Sequence, residues 1–240
     1  MARLLVVVPS DTDPPARLGE WLRGAGLELD ERRLAADDPL PEDPGEHDGL
    51  LVMGGPQSSL DDDRSLDGVR ALLRRAIAHD VPTLAVCLGA QLLTQAGGGR
   101  VRPGVDGPEV GAGLVAKRDK AERDPVFGPL PLSPDVVQWH HDEISELPAG
   151  ALLLASNPRY EHQAFRLGRR VYGLQFHIET TPEMVRAWAV GDPVGVATTR
   201  FDADELAERA AAVHPDLEEA WAPFAARFAD LVRAAAEQAA

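Results

Sequence analysis

Three short apolar runs, Leu4–Val8, Leu50–Met53 and Thr83–Val86, each stop at turn-forming residues, and this repeated run and stop constrains the fold more than any other feature. Runs of this length without polar alternation read as strands buried on both faces. Between the second and third, the stretch from about Leu66 to His79 spaces Val69, Leu72, Leu73, Ala76 and Ile77 along one side of a helix. Strand, helix, strand order implies right-handed crossovers and parallel pairing. The expected fold class is α/β, a mostly parallel central sheet flanked by helices.

After Gly97-Gly98-Gly99 the strand candidates become shorter: Gly113 to Lys117, Val136 to Trp139, Ala151 to Ala155, Gln163 to Leu167 and Val171 to Phe176. Their close spacing suggests hairpins on the far side of the sheet. Asp124 to Pro131, punctuated by proline, reads as a surface excursion. Near the end, Leu217, Trp221, Phe224, Phe228 and Leu231 form one apolar stripe, and Pro223 predicts a break or a new helix start near Trp221. Residues 1–190 are thus expected to form one domain, with 191–240 a C-terminal helical extension packed on it.

A chain of 240 residues, 44% of them hydrophobic, suffices for one large core. Its formal net charge of -15 repels polyanions, which argues against nucleic-acid and anionic-membrane partners. The pairs Arg74-Arg75 and Arg169-Arg170 sit among acids and apolar residues and make no basic stripe. The lone cysteine, Cys87, leaves no intrachain disulfide and no cysteine-based zinc site. No metal or cofactor is expected. The opening apolar run is stopped by Pro9, too soon for a signal peptide or a membrane span, so a cytoplasmic location is expected.

Three segments carry chemistry. In Val81 to Leu93 a buried strand turns through Cys87 into a helix, in outline a nucleophile elbow, with Ala85 and Gly89 small enough for strand and helix to approach. The start of a helix favours a thiolate, although a cysteine in an apolar strand is often inert packing. In Val171 to Glu179 a strand ends at His177 and Glu179, two apart and on one side of extended chain, so the carboxylate can orient the imidazole. In Leu50 to Ser59 a strand runs into Gly54-Gly55-Pro56, whose backbone N–H groups can approach a ligand closely. An ordinary turn reads the same way.

Together, in this order, Gly54-Gly55-Pro56, Cys87-Leu88-Gly89-x-Gln91 and Gln175-Phe176-His177-x-Glu179 resemble the class I, triad-type glutamine amidotransferases, the family that includes the glutaminase domain of guanylate synthase. The resemblance spans residues about 4 to 190. It implies a flavodoxin-like sheet, Cys87 as nucleophile, His177 as proton carrier and Glu179 as its orienting carboxylate. It further implies an oxyanion hole from the N–H groups of Gly55 and Leu88, and glutamine contacts from Gly54, Gln91, His140 and Asp142. The last two fall where relatives carry a Ser-His-Gly-Asp-like loop, here with His141 in place of glycine. Ala85, Ala90 and Ile178 also depart from the family pattern without touching the triad.

The resemblance implies glutamine as substrate and a separate synthase subunit to receive the ammonia. A γ-glutamyl hydrolase or peptidase using the same Cys-His pair is the first alternative. A catalytically silent regulatory module is the second.

Overall fold

The structure, a computed structural model, describes residues 1–239; Ala240, the last residue of the expected extension, lies outside them. In chain order the elements are β1 (Arg3–Val8), α1 (Ala16–Gly24), β2 (Glu28–Arg33), β3 (Gly49–Val52), α2 (Asp67–His79), β4 (Thr83–Val86), α3 (Leu88–Ala96), β5 (Arg100–Pro103) and β6 (Glu109–Leu114). There follow β7 (Ala116–Lys117), β8 (Asp135–His140), β9 (Asp142–Glu146), β10 (Leu152–Ser156), β11 (Ala164–Leu167), β12 (Val171–Leu174), α4 (Pro182–Gly191), α5 (Pro193–Val196) and α6 (Ala203–Ala239). Eight strands form the central sheet in the order β2-β1-β3-β4-β12-β11-β10-β7. The first five pair in parallel and the remainder antiparallel, so the expected α/β class holds and the hairpins lie at the far edge.

The apolar strands feed two cores because successive side chains point to opposite faces. Leu4, Val6 and Val8 pack with Leu18 and Leu22 of α1 and with Leu217, Phe224 and Phe228 of α6. Leu5 and Val7 pack with Val69, Leu72 and Leu73 of α2 and with Leu92 and Leu93 of α3. Both faces are covered, as a parallel sheet requires.

Four sequence expectations are corrected. α6 runs unbroken through Pro215 and Pro223. Both prolines lie on its exposed side, where the carbonyls they orphan face water. Burying Leu217, Trp221, Phe224 and Phe228 on the sheet outweighs about 3 kcal/mol of intrinsic penalty per proline. The 124–131 loop is no surface excursion, since Val126, Phe127 and Leu130 are buried and Phe127 packs edge-on to Trp221. Asp124 ties it down by accepting the N–H groups of Val126 and Phe127 at 3.0 and 2.8 Å.

The charged edge strand β2 has no apolar run to announce it. Its carriers Asp30 and Arg33 pair with Arg3 and Asp11, and this charged border blunts a free sheet edge. Strand bounds also move: Gly113 to Lys117 is the end of β6 plus β7, and β12 stops at Leu174 where Phe176 had been expected. Past Leu174 the backbone leaves the sheet to bridge β8, His177 and Val137 exchanging N–H···O=C bonds of 2.8 and 3.1 Å.

Candidate functional site

The site lies beyond the carboxyl ends of β1, β3, β4 and β12, where chain ends converge above a parallel sheet. Cys87 sits between β4 and α3 at φ 50° and ψ -109°, a backbone state that costs a residue with a side chain about 1–3 kcal/mol. Two bonds hold it: its N–H donates to the Leu174 carbonyl at 2.7 Å, and its carbonyl accepts from Gln91 at 3.0 Å. Glycine is required at 89, because a Cβ there would stand 2.4 Å from the Val52 carbonyl oxygen. The turn thereby delivers the sulfur to the start of α3, whose first N–H groups have no partner inside the helix.

His177 and Glu179 follow β12. The His177 Nδ1 lies 2.7 Å from Glu179 Oε1, and the other carboxylate oxygen accepts the Ile178 N–H at 2.9 Å. Both side chains are buried. Burial opposes protonation of His177, but the charges of Glu179 and Cys87 and the hydrogen bonds to both outweigh it and raise its pKa well above the usual imidazole value. Trp188 of α4 packs against the imidazole with ring centroids 4.6 Å apart, itself fixed by its Nε1–H on the Thr12 carbonyl at 2.9 Å.

A cavity of about 400 Å³ opens over this group, bordered by Gly55, Cys87, Leu88, Gln91 and His177 on one side. Gly55 is packed under Leu88 so closely that a Cβ would lie 3.1 Å from the Leu88 Cδ2. Gln91 donates its Nε2 to the Asp142 carbonyl at 3.3 Å and to Gln175 Oε1 at 3.4 Å. The Asp142 carboxylate accepts the Ser58 hydroxyl at 2.6 Å, joining the 58 and 142 loops across the rim.

Gly54 and His140, two further expected glutamine contacts, take different places around this cavity. Gly54 is not among the residues that border the cavity; it packs beside Cys87 and His177, where a Cβ would be 3.1 Å from His177 Cε1 and 3.5 Å from Cys87 Cβ, so its smallness serves close packing. His140 reaches the cavity border with both ring nitrogens engaged, Nδ1 with the Asp142 carbonyl at 2.8 Å and Nε2 with Glu109 at 3.0 Å. Glu109 also accepts from Asn157 and Gln163 at 2.9 and 2.8 Å. The His140 ring is thus held in place at the cavity border by partners on both nitrogens.

Asp13, Trp188 and Asp192 also border the cavity and carry no recognisable sequence signal. Asp13 belongs to the turn after β1, and the other two lie on and just after α4. Burial pushes the Asp13 carboxyl up, against the opposing pull of His177 and the Thr12 hydroxyl. Asp192 stays below the usual carboxylate range: burial works against this, and hydrogen bonds from His141 and the Gly195 N–H prevail. Among the described residues no group of three or more His, Cys, Asp or Glu is arranged to hold a metal, and no helix is long and apolar enough to cross a membrane.

The chain is 26% identical over 156 residues to gamma-glutamyl peptidase 5 of Arabidopsis thaliana, covering 64% of this chain and 62% of the relative. It is 30% identical over 132 residues to a GMP synthase (glutamine-hydrolyzing) of Staphylococcus aureus, covering 55% and 24%. The chain therefore spans less than two thirds of each of these relatives. The crystal structure of a glutamine amido transferase from Methylobacillus flagellatus superimposes with a TM-score of 0.85 at 26% identity, over 96% of this chain and 95% of that one. The family described as glutamine amidotransferase class-I matches residues 22–187, more than half of the sequence, and the chain belongs to that family.

Proposed function

We propose that this protein hydrolyses the side-chain amide of glutamine through Cys87, His177 and Glu179. The observation that carries the reading is the strained Cys87 elbow, opening into a cavity beside an imidazole that is itself bound to a buried carboxylate. His177 holds its proton against a Cys87 thiolate. The thiolate attacks the amide carbon, and the oxyanion is met by the N–H groups of Gly55 and Leu88. His177 then protonates the departing ammonia, and water cleaves the γ-glutamyl thioester to glutamate. Glu179 keeps the imidazole in one tautomer and stabilises its charge. Gln91 and Asp142 form the wall that faces the glutamyl group.

The ammonia acceptor belongs to a separate synthase subunit in this reading, supported by the glutaminase-containing GMP synthase among the relatives. A reducing, cytoplasmic setting keeps the single thiol active. A second reading, cleavage of a γ-glutamyl amine or peptide, is favoured by the cavity's extension past the triad to Trp139 and Trp188 and by the peptidase relative.

The test is release of ammonia and glutamate from glutamine by the purified protein, beside Cys87→Ala. Turnover that depends on Cys87 is expected. Undiminished turnover by the variant removes the nucleophile assignment, and a thiol that resists iodoacetamide in the folded protein points to a silent regulatory module.

A further inference from the structure

The mouth of the cavity is marked by its exposed border residues, Thr12, Pro56, His141, Ala187 and Gly191, while Cys87 and His177 lie deep, 6% and 1% exposed. Two segments meet at this mouth, and they are held very differently. The turn between β8 and β9 is fixed at three consecutive residues: the His140 ring is engaged at both nitrogens, the His141 carbonyl accepts the Gly104 N–H at 2.9 Å, and the Asp142 carboxylate accepts the Ser58 hydroxyl at 2.6 Å. Residues 192–200, which follow α4, have little to hold them. Only Gly195 of these is buried, Val196 is the one apolar side chain packed on the core, and the backbone N–H groups of 196–199 are spent within the segment. Among the described residues, the hydrogen bonds that tie 192–200 to a distant part of the chain meet on one atom: Asp192 Oδ2 lies 2.7 Å from His141 Nε2 and accepts the Trp139 Nε1–H at 3.2 Å. Segments with few buried contacts and locally closed hydrogen bonds open at a lower free energy than the fold around them.

We infer that residues 192–200 form a flap at the cavity mouth, pinned to the fixed β8–β9 turn by the Asp192–His141 contact, and that release of this pin widens the way to Cys87. The pin is of the strength a flap needs, because its side chains are 45% and 21% exposed, and water replaces the contact at little cost. The flap moves as a unit: the other carboxylate oxygen of Asp192 accepts the Gly195 N–H at 2.9 Å and keeps α5 capped whether or not His141 is engaged. The Trp139 bond, longer and from a neutral donor, is the weaker tether.

The experiment uses the full chain and His141→Phe, which keeps bulk at the rim and removes the pin. Hydrogen–deuterium exchange is expected to quicken by about fivefold in 192–200, the shift that loss of one hydrogen bond of ordinary net strength gives an opening equilibrium, with β8 and β9 unchanged. Labelling of Cys87 by fluorescein maleimide relative to iodoacetamide is expected to rise by a similar factor, because the ratio of a bulky to a small reagent reads access and not the reactivity of the sulfur. Asp192→Asn, which keeps the cap on Gly195 and loses the charge, is expected to move both readouts the same way and less. Parent-like exchange of 192–200 in His141→Phe overturns the flap, whatever the labelling. Equal quickening through β8 and β9 overturns the fixed turn on which the pin depends. Parent-like labelling in His141→Phe, with faster labelling in His141→Ala, means that His141 only fills the rim and overturns the pin. Neither readout requires turnover, so failure of the hydrolytic reading leaves the test of the flap intact.

Discussion

Two buried histidines border the same cavity, each within 3.0 Å of a buried carboxylate, and they differ in what their second ring nitrogen meets. His177 spends Nδ1 on Glu179 and turns its other side to the Cys87 sulfur. His140 spends both nitrogens, on Glu109 and on the Asp142 carbonyl. A carboxylate partner therefore does not mark a proton carrier; the second nitrogen does. The walls differ accordingly. The Cys87–His177 wall hangs on the ends of the parallel sheet and carries strain at Cys87, whereas the β8–β9 wall is held by a polar network through Glu109, Asn157 and Gln163.

The sharpest way to break this comparison is to remove each imidazole in turn. His177→Ala should cost at least about 10³-fold in Cys87-dependent turnover, because the proton carrier and the partner of the thiolate vanish together. It should also lower stability, since Glu179 is left as an uncompensated buried charge. His140→Ala should strip Glu109 of its ring partner and cost about 1–3 kcal/mol in urea unfolding, since Asn157 and Gln163 still donate to Glu109. Turnover per folded molecule should then fall far less than with His177→Ala. If the two variants lose comparable activity when corrected for folded fraction, the division between carrier and strut is wrong.

A third histidine sharpens the comparison from outside the cavity. His214 of α6 meets the Thr180 hydroxyl at 3.0 Å, with no carboxylate among the described residues in hydrogen-bonding range. Burial, aided by Arg17, lowers its pKa to about 4. Between an unfolded value of about 6.5 and that folded value the native state binds fewer protons, so stability falls as pH falls through this window. His177, with its raised pKa, works in the opposite sense, its contribution being complete below about 6.5 and lost as pH rises through the folded value. The slope of melting temperature against pH between about 6.5 and 4 should be shallower in His214→Gln than in the parent. An unchanged slope would show that the α6 contact does not titrate.

The central strands were legible because a strand buried on both faces writes itself as an apolar run, and the nucleophile elbow because the turn demands small residues such as Gly89 where the backbones nearly touch. β2 was not legible, since an edge strand held by charge carries no apolar pattern. α6 misled at Pro223 for a related reason: propensity acts over one turn, and the stripe that overrides it acts only when the sheet is present. Asp13 and Trp188 escaped altogether, lying far apart in sequence and brought together by the Thr12 carbonyl and the His177 ring.

By itself, then, the sequence determined the α/β class and the family, and it supplied the motifs that carry Cys87, His177 and Glu179 of the proposed triad, because each depends on local pattern and short spacing. Only the tertiary structure decided which histidine nitrogens are engaged, and that Gly54 and Asp13 pack beside Cys87 and His177. Those outcomes depend on which groups from distant segments come within hydrogen-bonding reach, and burial, which no single segment carries, sets what each contact is worth.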